Sequence, residues 1–468
     1  MNQAAIAAIV GYVLVQFIIG AWVSRRMTSD QDYILAGRSL GTGLVAFSVF
    51  ATWFGAEAIV ASAGEIYEKG LTGAITDPFG YGFALVIVAL LLAAPLWRRG
   101  LTTYADLLRQ RYSPAVEKAF VLVLLPGSLF WAAAQIRSFG QILSSTTGIE
   151  VQTALLIAAA LVGVYSIVGG LLADAITDVV QGLAVIVGLA ILAIAVWTHL
   201  GALPESARAI PPERLLIIPP GVGDGWAIVE RLAIVICGSI VSVELISRFL
   251  GAVSAPVART GTLIGAGLYL SVGLIPAYLG LVGPILAPGL DQPEQIVPKL
   301  AELHLSGYLY PFFIGAQISA ILSVVHAALH APAAQVSHNL LTPLAPTLSP
   351  RARLTSVRVT VLGLSIVALL LAQSVDRIKE LVETASAFGS AGAFVVAMFA
   401  LFTRFGGPAA ALSSLASGIV VWAAGRYLLG LEFPYLVSIV AALAIYMGVA
   451  LLEGRAPTID GKARPAEL

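Results

Sequence analysis

Carboxylates and aromatic side chains recur at helical spacing within apolar stretches of this sequence. Trp53 and Glu57 lie one helical turn apart in one such stretch. An ionisable side chain there is costly unless it faces a partner or a water-filled cavity. Gly41, Gly55 and Gly64 would let this segment unwind around a solute, since unwound backbone at membrane depth is tolerated only beside a cavity. Small residues are also typical of closely packed helices, so both interpretations stand.

Two further apolar stretches place aromatic rings beside polar groups. Phe130 and Trp131 precede Gln135 by about one turn, and Asp77 lies four residues before Tyr81. Because the face of an aromatic ring attracts positive charge, these rings could enclose an organic cation. The alternative is the belt of aromatic residues that lies at a membrane–water interface.

Asp174 and Asp178 lie one turn apart at the start of a long apolar helix. A carboxylate at this depth could attract a cation or hold a gate closed. The alternative is a solvated pair that stabilises the N-terminal end of the helix dipole.

Ser323, His326 and His330 share one helical stripe. Histidine titrates near neutral pH, so His326 and His330 are candidates for a proton relay. Two imidazoles hydrogen-bonded within a helix bundle are the alternative. No third ligand follows at the usual spacing, so no metal site is expected beyond a sodium ion.

The composition requires lipid as the solvent. Of 468 residues, 59% are hydrophobic and 11% are charged, against roughly 25% charged in soluble domains. The formal net charge is zero, which argues against a nucleic-acid partner. No nucleophile–base pair or phosphate-binding loop indicates catalysis, so neither an enzyme nor an organic cofactor is expected.

Apolar runs of roughly 20 residues predict about 13 membrane-spanning helices. The predicted spans are 4–24, 42–64, 71–97, 119–143, 151–169, 174–197, 226–250, 258–285, 307–340, 354–374, 379–403, 407–430 and 434–453.

Basic residues predict the orientation of these spans. Arg25 and Arg26 follow the first run, which we expect to be retained rather than cleaved, with the N-terminus outside. Arg98 and Arg99 fall in another loop predicted inside, whereas the loop 286–306 is acidic and predicted outside. An inner (plasma) membrane protein with a cytoplasmic C-terminus is expected.

A family resemblance appears in the run YSIVGGLLADAITDVVQGLAVIVGL, residues 165–189, which is similar to the signature of the sodium:solute symporter family. LAGRSLG, residues 35–41, also resembles that family. ATWFGAEAIVASAGEIY (51–67), GYGFAL (80–85) and LFWAAA (129–134) resemble the high-affinity choline transporter branch.

The resemblance implies a leucine-transporter-like, all-α fold in one transporter domain spanning residues 1–468. Its core would be two inverted five-helix repeats, with the first and sixth core helices broken. The implied divisions are an extra helix and loop (1–40), the first repeat (41–197), the second repeat (226–403), two further helices (404–453) and a cytoplasmic tail (454–468).

The resemblance also implies positions for a solute and an ion. Trp53, Tyr81 and Trp131 match aromatic positions that box a choline headgroup. With the polar residues noted above, the expected substrate-binding set is Trp53, Glu57, Tyr81, Trp131, Gln135 and Ser242. The expected ion-binding set is the backbone carbonyls of Ala51, Phe54 and Ala320, the hydroxyl of Ser323, and Asp178 on the inner exit route.

Three positions depart from the family pattern. Val324 stands where the family has a hydroxyl, His326 where it has an acidic or small residue, and Ser242 where choline transporters have an aromatic residue. A valine methyl cannot bind sodium, so coupling to sodium, coupling to protons and uncoupled transport all stay open.

The sequence therefore predicts a secondary active transporter that imports a small polar or cationic solute by alternating access, coupled to sodium or protons. A membrane sensor that binds a solute without moving it is the alternative. The expected partners are that solute and the lipid bilayer, and the sequence does not indicate an oligomeric state.

Overall fold

Long apolar helices make up most of the backbone in the computed structural model. The structure describes residues 3–25, 27, 29–201, 205, 208–218, 225–374 and 378–453. Within these residues there is no β-strand, and the one isolated bridge joins Leu40 to Ala252. The predicted tail 454–468 and part of the loop 198–225 lie outside the described residues.

The α-helices are numbered in chain order. They are α1 Gln3–Ser24, α2 Asp30–Leu35, α3 Thr42–Trp53, α4 Ser62–Lys69, α5 Tyr81–Ile87, α6 Ala93–Arg98, α7 Ala105–Arg111, α8 Pro114–Thr147, α9 Val151–Val168, α10 Leu171–His199, α11 Gly225–Val241, α12 Val243–Leu250, α13 Ala255–Leu286, α14 Ile296–His304, α15 Leu309–Gln335, α16 Pro350–Ser374, α17 Ile378–Ala387, α18 Ser390–Phe402, α19 Pro408–Ala423 and α20 Pro434–Glu453.

Wider, π-helical turns interrupt or extend several of these helices. They comprise Glu57–Ala61, Thr76–Gly80, Val88–Leu92, Val336–Leu341 and Ala424–Leu428. Such turns are rare and occur frequently at functional sites.

In the described part of the chain, ten helices are long and apolar enough to cross a membrane, or eleven when the bent pair α11–α12 counts as one span. The chain is therefore a multi-pass membrane protein. The number of about 13 spans is not confirmed. One reason is that α3 ends after 12 residues, and another is that the residues 57–98 form one helical run where a boundary was predicted near residue 71.

Two long helices begin at serine caps, which satisfy backbone N–H groups that have no partner inside the helix. Ser113 Oγ accepts from Val116 N before α8, and Ser254 Oγ accepts from Val257 N before α13. Helix α8 ends at Gly148, whose φ of 77° is the left-handed conformation common after helices.

Two interruptions occur in otherwise apolar helical segments. Helix α3 ends at Trp53, the next residue Phe54 has φ of −92° and ψ of 65°, and helical turns resume at Glu57. The axes of α11 and α12 differ by 42°, with Ser242 between them. Ser242 Oγ accepts from Leu245 N and so caps the second half. Broken helices free backbone polar groups at a depth where water is scarce, which is tolerated around a cavity.

Helix α15 forms the centre of the bundle. Its apolar span is Leu309–Leu344, and 94% of the most apolar 18-residue segment of this span is buried inside the protein. It packs against α8 and α10, and it also contacts α3. The residues of α15 that face α3 and α10 are thus shielded from lipid. Polar side chains at these positions can therefore act inside the bundle.

Candidate functional site

A central cavity of about 70 Å³ lies where the two broken segments approach α5, α8 and α17. Five of the six predicted substrate-binding residues line it, and we call this space the central cavity throughout. Those five are Trp53, Glu57, Tyr81, Trp131 and Ser242. The sixth, Gln135, instead holds one of the five in place.

Glu57 is the buried carboxylate on one wall of the central cavity. Trp131 Nε1 donates to its Oε1 over 2.8 Å, and Gln135 Nε2 donates to its Oε2. The other end of the Gln135 amide, Oε1, accepts from the backbone N–H of Ala56 at 3.1 Å. The Gln135 side chain of α8 therefore satisfies a backbone N–H group at the break after α3 and orients Glu57 at the same time.

Glu244 is a second carboxylate on the wall, and the predicted set does not include it. Its oxygens accept from Ser128 Oγ and, at 2.6 Å, from Ser242 Oγ. It lies in the first turn of α12, and this position depends on the bend after Ser242. The sequence indicates a deep carboxylate at Glu244 without a local partner, but no local pattern marks the bend that brings it to the cavity.

Aromatic rings complete the walls. The rings of Trp53 and Trp131 are 5.3 Å apart at an interplanar angle of 57°. Tyr81 OH lies 3.0 Å from Ser386 Oγ, which fixes its ring against α17. Among the described lining residues two are carboxylates and none is cationic. Negative charge with ring faces suits a positively charged guest.

A second, wider cavity of about 290 Å³ adjoins the first and shares Glu57, Tyr81 and Ser386 with it. We call it the wide cavity. Its described lining contains more carboxylates than guanidinium groups. The carboxylates are Glu57, Glu65, Asp77, Glu230, Glu383 and Glu432, and the guanidinium groups are those of Arg231 and Arg426. It is therefore an acidic approach to the central cavity.

Asp178 lies at the crossing of three helices. Ser48 Oγ of α3 donates to its Oδ2 at 2.6 Å, and Ser323 Oγ of α15 donates to its Oδ1. The side chain has no solvent exposure. Two predicted ion-site residues, Ser323 and Asp178, are thus in direct contact.

Three more buried oxygens lie one turn along the same helices. Thr52 Oγ1, Gln181 Oε1 and Ser319 Oγ have no hydrogen-bond partner among the described residues. Thr52 follows Ser48 by four positions, Gln181 follows Asp178 by three, and Ser319 precedes Ser323 by four. In each pair the two residues therefore lie on the same face of their helix. Hard cations prefer oxygen ligands of this kind.

The remaining predicted ion ligands flank the break in α3. Ala51 and Phe54 lie at its end, and Ala320 lies in the adjacent part of α15. A Cβ placed on Gly55 would be only 2.7 Å from Val324 Cγ2. The valine methyl thus packs directly against the break, at the position where a hydroxyl was missing.

Asp174 belongs to a separate, fully buried ionic cluster. It pairs with Arg248 of α12, and its Oδ2 is 2.9 Å from His326 Nδ1. All three side chains have no solvent exposure. The alternative of a solvated pair for Asp174 and Asp178 is therefore wrong, because α12 and α15 contact the first carboxylate, α3 and α15 contact the second, and both are fully buried.

The two histidines are stacked. Their ring centroids are 5.2 Å apart with an interplanar angle of 16°, and His330 Nε2 lies 3.0 Å from the carbonyl oxygen of Tyr33. His326 faces Asp174, whereas Ser323 of the same stripe faces Asp178. Neither histidine lines the central or the wide cavity.

Comparison with known proteins decides the family. The model of the sodium:solute symporter family matches residues 33–418. The chain belongs to the sodium:solute symporter family. The resemblance in residues 165–189 is thereby confirmed.

Relatives within and around the family are distant in sequence. The high-affinity choline transporter 1 of Drosophila melanogaster is 24% identical over 358 residues, which are 73% of this chain and 57% of that protein. The high-affinity proline transporter PutP of Bacillus subtilis (strain 168) is 25% identical over 445 residues, 87% of this chain and 89% of that protein. The chain thus spans less than two thirds of the length of the fly transporter.

A solved structure of a Na⁺-coupled sialic acid symporter, in a substrate-bound outward-open state, matches with a TM-score of 0.87 at 17% identity. The match covers 98% of this chain and 99% of that chain. At this identity the likeness shows the fold alone, and the predicted all-α, multi-pass architecture is confirmed.

Proposed function

We propose that this chain is a secondary active symporter that moves a small organic cation across the membrane by alternating access. The observation that supports it is the central cavity, whose described lining has two oriented carboxylates and two neighbouring indole rings but no cationic side chain. The acidic wide cavity would concentrate cations at its mouth.

The solute is bound, in this proposal, against the rings of Trp53 and Trp131, with Glu57 and Glu244 as counter-charges. The names of several relatives specify choline, which makes choline the first probe. Ser242 leaves one wall of the central cavity polar. A solute with a hydroxyl or a primary amine would fit this wall better than a purely quaternary headgroup.

Uptake into proteoliposomes tests this proposal. Choline, a primary amine, proline and a sugar acid are offered at equal concentrations under an inward sodium gradient. Uptake of a cation that falls at least tenfold in Glu57→Gln supports the proposal. Uptake of only neutral or anionic solutes contradicts it.

Sodium is the coupling ion that the oxygen cluster favours. Asp178, Ser48 and Ser323 supply a carboxylate and two hydroxyls, with the Thr52, Gln181 and Ser319 oxygens one turn away. Val324→Ser adds the missing hydroxyl in a smaller side chain. We expect it to lower the sodium concentration for half-maximal uptake, with Val325→Ser as the matched control.

Protons are the second candidate, because His326 faces Asp174 inside the bundle. Uptake that persists without sodium and stops when the pH gradient is dissipated would favour protons. His326→Gln should then abolish gradient-driven uptake. If that variant retains it, His326 and His330 form no relay.

The proposed architecture has inverted repeats at 41–197 and 226–403, and the breaks at Phe54 and Ser242 mark their corresponding first helices. The proposed orientation has the N-terminus outside and the C-terminus in the cytoplasm. Cys237 is the one native cysteine, so replacing it by serine gives a background for labelling single cysteines from either side.

A further inference from the structure

Asp77 has a conformation that an ordinary helix does not provide. Its φ of −138° and ψ of 125° are extended, within the turn Thr76–Gly80. The backbone carbonyl, which has left the helical pattern, accepts from Ser62 Oγ at 2.8 Å. The irregular backbone lines the wide cavity, as membrane-depth irregularities usually do.

The carboxylate of Asp77 is only half satisfied. Oδ1 accepts from Tyr269 OH at 2.9 Å, whereas Oδ2 has no hydrogen-bond partner among the described residues. The residue is only 6% exposed and lines the wide cavity. A buried charged oxygen without a partner is strongly unfavourable, so the charged form of Asp77 requires a positive ligand.

The neighbouring charges do not supply that ligand. Glu57 and Glu65 line the same cavity and add negative charge. Arg231, a cationic residue of this lining, lies 3.4 Å from Glu65 Oε1. The electrostatic field at Asp77 Oδ2 therefore favours a cation that enters through the wide cavity.

We propose that Asp77 is the ligand of a second cation site, in the wall of the wide cavity and outside the central cavity. It takes a monovalent cation, which is either the inorganic coupling ion or the ammonium group of a solute in transit. The Oδ2 atom is the charged ligand. This site does not depend on which solute the central cavity accepts.

Tyr269 connects this site to the rest of the machinery. Its hydroxyl donates to Asp77 Oδ1, its side chain lines the central cavity, and its ring is 5.6 Å from the ring of Phe54 at an angle of 79°. Phe54 is the residue directly after α3. A cation on Asp77 therefore acts on the same ring that packs against the break.

The test uses the purified full-length chain in detergent and measures its melting temperature, which rises when a ligand binds the folded state. Wild type and Asp77→Asn are titrated with sodium chloride at constant ionic strength and, without sodium, with choline chloride. Asparagine keeps the shape and removes the charge. Glu302→Gln, an exposed acid of α14 that is 60% exposed, is the matched control.

The midpoint of each titration is the cation concentration that gives half of the maximal rise in melting temperature. We expect this midpoint to rise about tenfold or more in Asp77→Asn for one of the two cations. Neither midpoint should change in Glu302→Gln. A change for sodium alone assigns the site to the inorganic ion, and a change for choline alone assigns it to the solute. Equal midpoints in wild type and Asp77→Asn overturn the proposal, because the carboxyl would then be a neutral structural group. A wild-type protein that responds to neither cation overturns it as well.

Tyr269→Phe keeps the test decisive if Asp77→Asn does not fold. This variant removes the hydrogen bond that draws charge from the carboxylate but leaves the carboxylate in place. Cation binding should tighten by about threefold or more. Unchanged midpoints for both cations in Tyr269→Phe would contradict a ligand role for Asp77. If the wild-type protein takes up no choline but its melting temperature still responds to sodium, that result counts against the proposed function only.

Discussion

The indole nitrogen of Trp131 donates to Glu57 Oε1 over 2.8 Å, although the two residues are 74 positions apart in the chain. The bond joins the middle of α8 to the turn that follows the break in α3. It fixes the carboxylate relative to a ring whose centroid is 5.3 Å from that of Trp53. A charged group and an aromatic face are thus presented to the central cavity as one rigid unit.

Trp131→Phe separates these two contributions. Phenylalanine retains a ring beside Trp53 but has no N–H group to hold Glu57. We expect the KM for cation uptake to rise about tenfold, which corresponds to ~1.4 kcal/mol of binding free energy, with little change in melting temperature. Trp226→Phe, at a tryptophan that is 61% exposed, is the control. An unchanged KM in Trp131→Phe would show that the bond does not orient the solute.

Gly55→Ala tests whether the break in α3 requires close packing. An added Cβ would lie 2.7 Å from Val324 Cγ2, 2.9 Å from Gln135 Oε1 and 3.1 Å from Glu57 Oε2. We expect destabilisation of about 1–3 kcal/mol, together with loss of uptake. In Gly43→Ala the new Cβ meets nothing within 4 Å, so melting temperature and uptake should stay near wild type. Equal effects of the two substitutions would contradict this account.

The Asp174–Arg248 pair should behave as one energetic unit. Removing either partner leaves a buried, uncompensated charge, so Asp174→Asn and Arg248→Met should each destabilise the fold by about 3–5 kcal/mol. The double variant should be less destabilised than the sum of the two, because it leaves neither charge behind.

A thermal-melting double-mutant cycle measures this coupling. The matched surface cycle uses Lys299→Met and Glu302→Gln, an exposed ion pair whose atoms are 2.8 Å apart. Exposed pairs contribute little. Additive effects of Asp174→Asn and Arg248→Met on stability would mean that His326, rather than Arg248, compensates the charge of Asp174.

Acid should weaken the contacts at the start of α7. Burial would raise the pKa of Asp106, but the hydrogen bond and charge of His338, with the N–H groups of Thr102 and Thr103, hold that pKa below its usual value of 3.8. A carboxyl group with a lower pKa in the folded state stabilises the protein above its unfolded pKa. That stabilisation is lost as the pH falls through the folded pKa.

We therefore expect the melting temperature of wild type to fall more steeply than that of Asp106→Asn as the pH drops below about 4. Glu302→Gln should follow the wild-type curve. Parallel curves for wild type and Asp106→Asn would indicate that other carboxylates control the acid transition.

The sequence predicts what depends on local spacing. Trp53 and Glu57 are one turn apart in the chain, so their shared face could be predicted, and the position of most spans follows from apolar length. Whether a run such as 57–98 holds one helix or two depends on Gly70, whose φ of 66° turns the chain without ending the helical pattern. Composition alone does not distinguish these cases.

Contacts between helices are the part that spacing does not predict. Gln135 was singled out beside the rings, yet its two bonds, to Glu57 and to the N–H of Ala56, depend on how α8 crosses α3. Glu244 and Asp77 belong to the cavities only because the chain bends at Ser242 and at Thr76–Gly80. The roles of the predicted solute and ion residues remain predictions until transport is measured.

Helix α12 is eight residues long and carries Glu244 in its first turn and Arg248 in its last. The first side chain lines the central cavity, and the second is paired with Asp174 beside the oxygen cluster of Asp178. A helix of two turns moves as a rigid body, so a displacement of one end also moves the other end. If the central cavity binds the solute and the Asp178 cluster binds the ion, as we propose, then α12 links the two occupancies. Linkage is reciprocal, so the factor by which the ion changes the affinity for the solute equals the factor by which the solute changes the affinity for the ion.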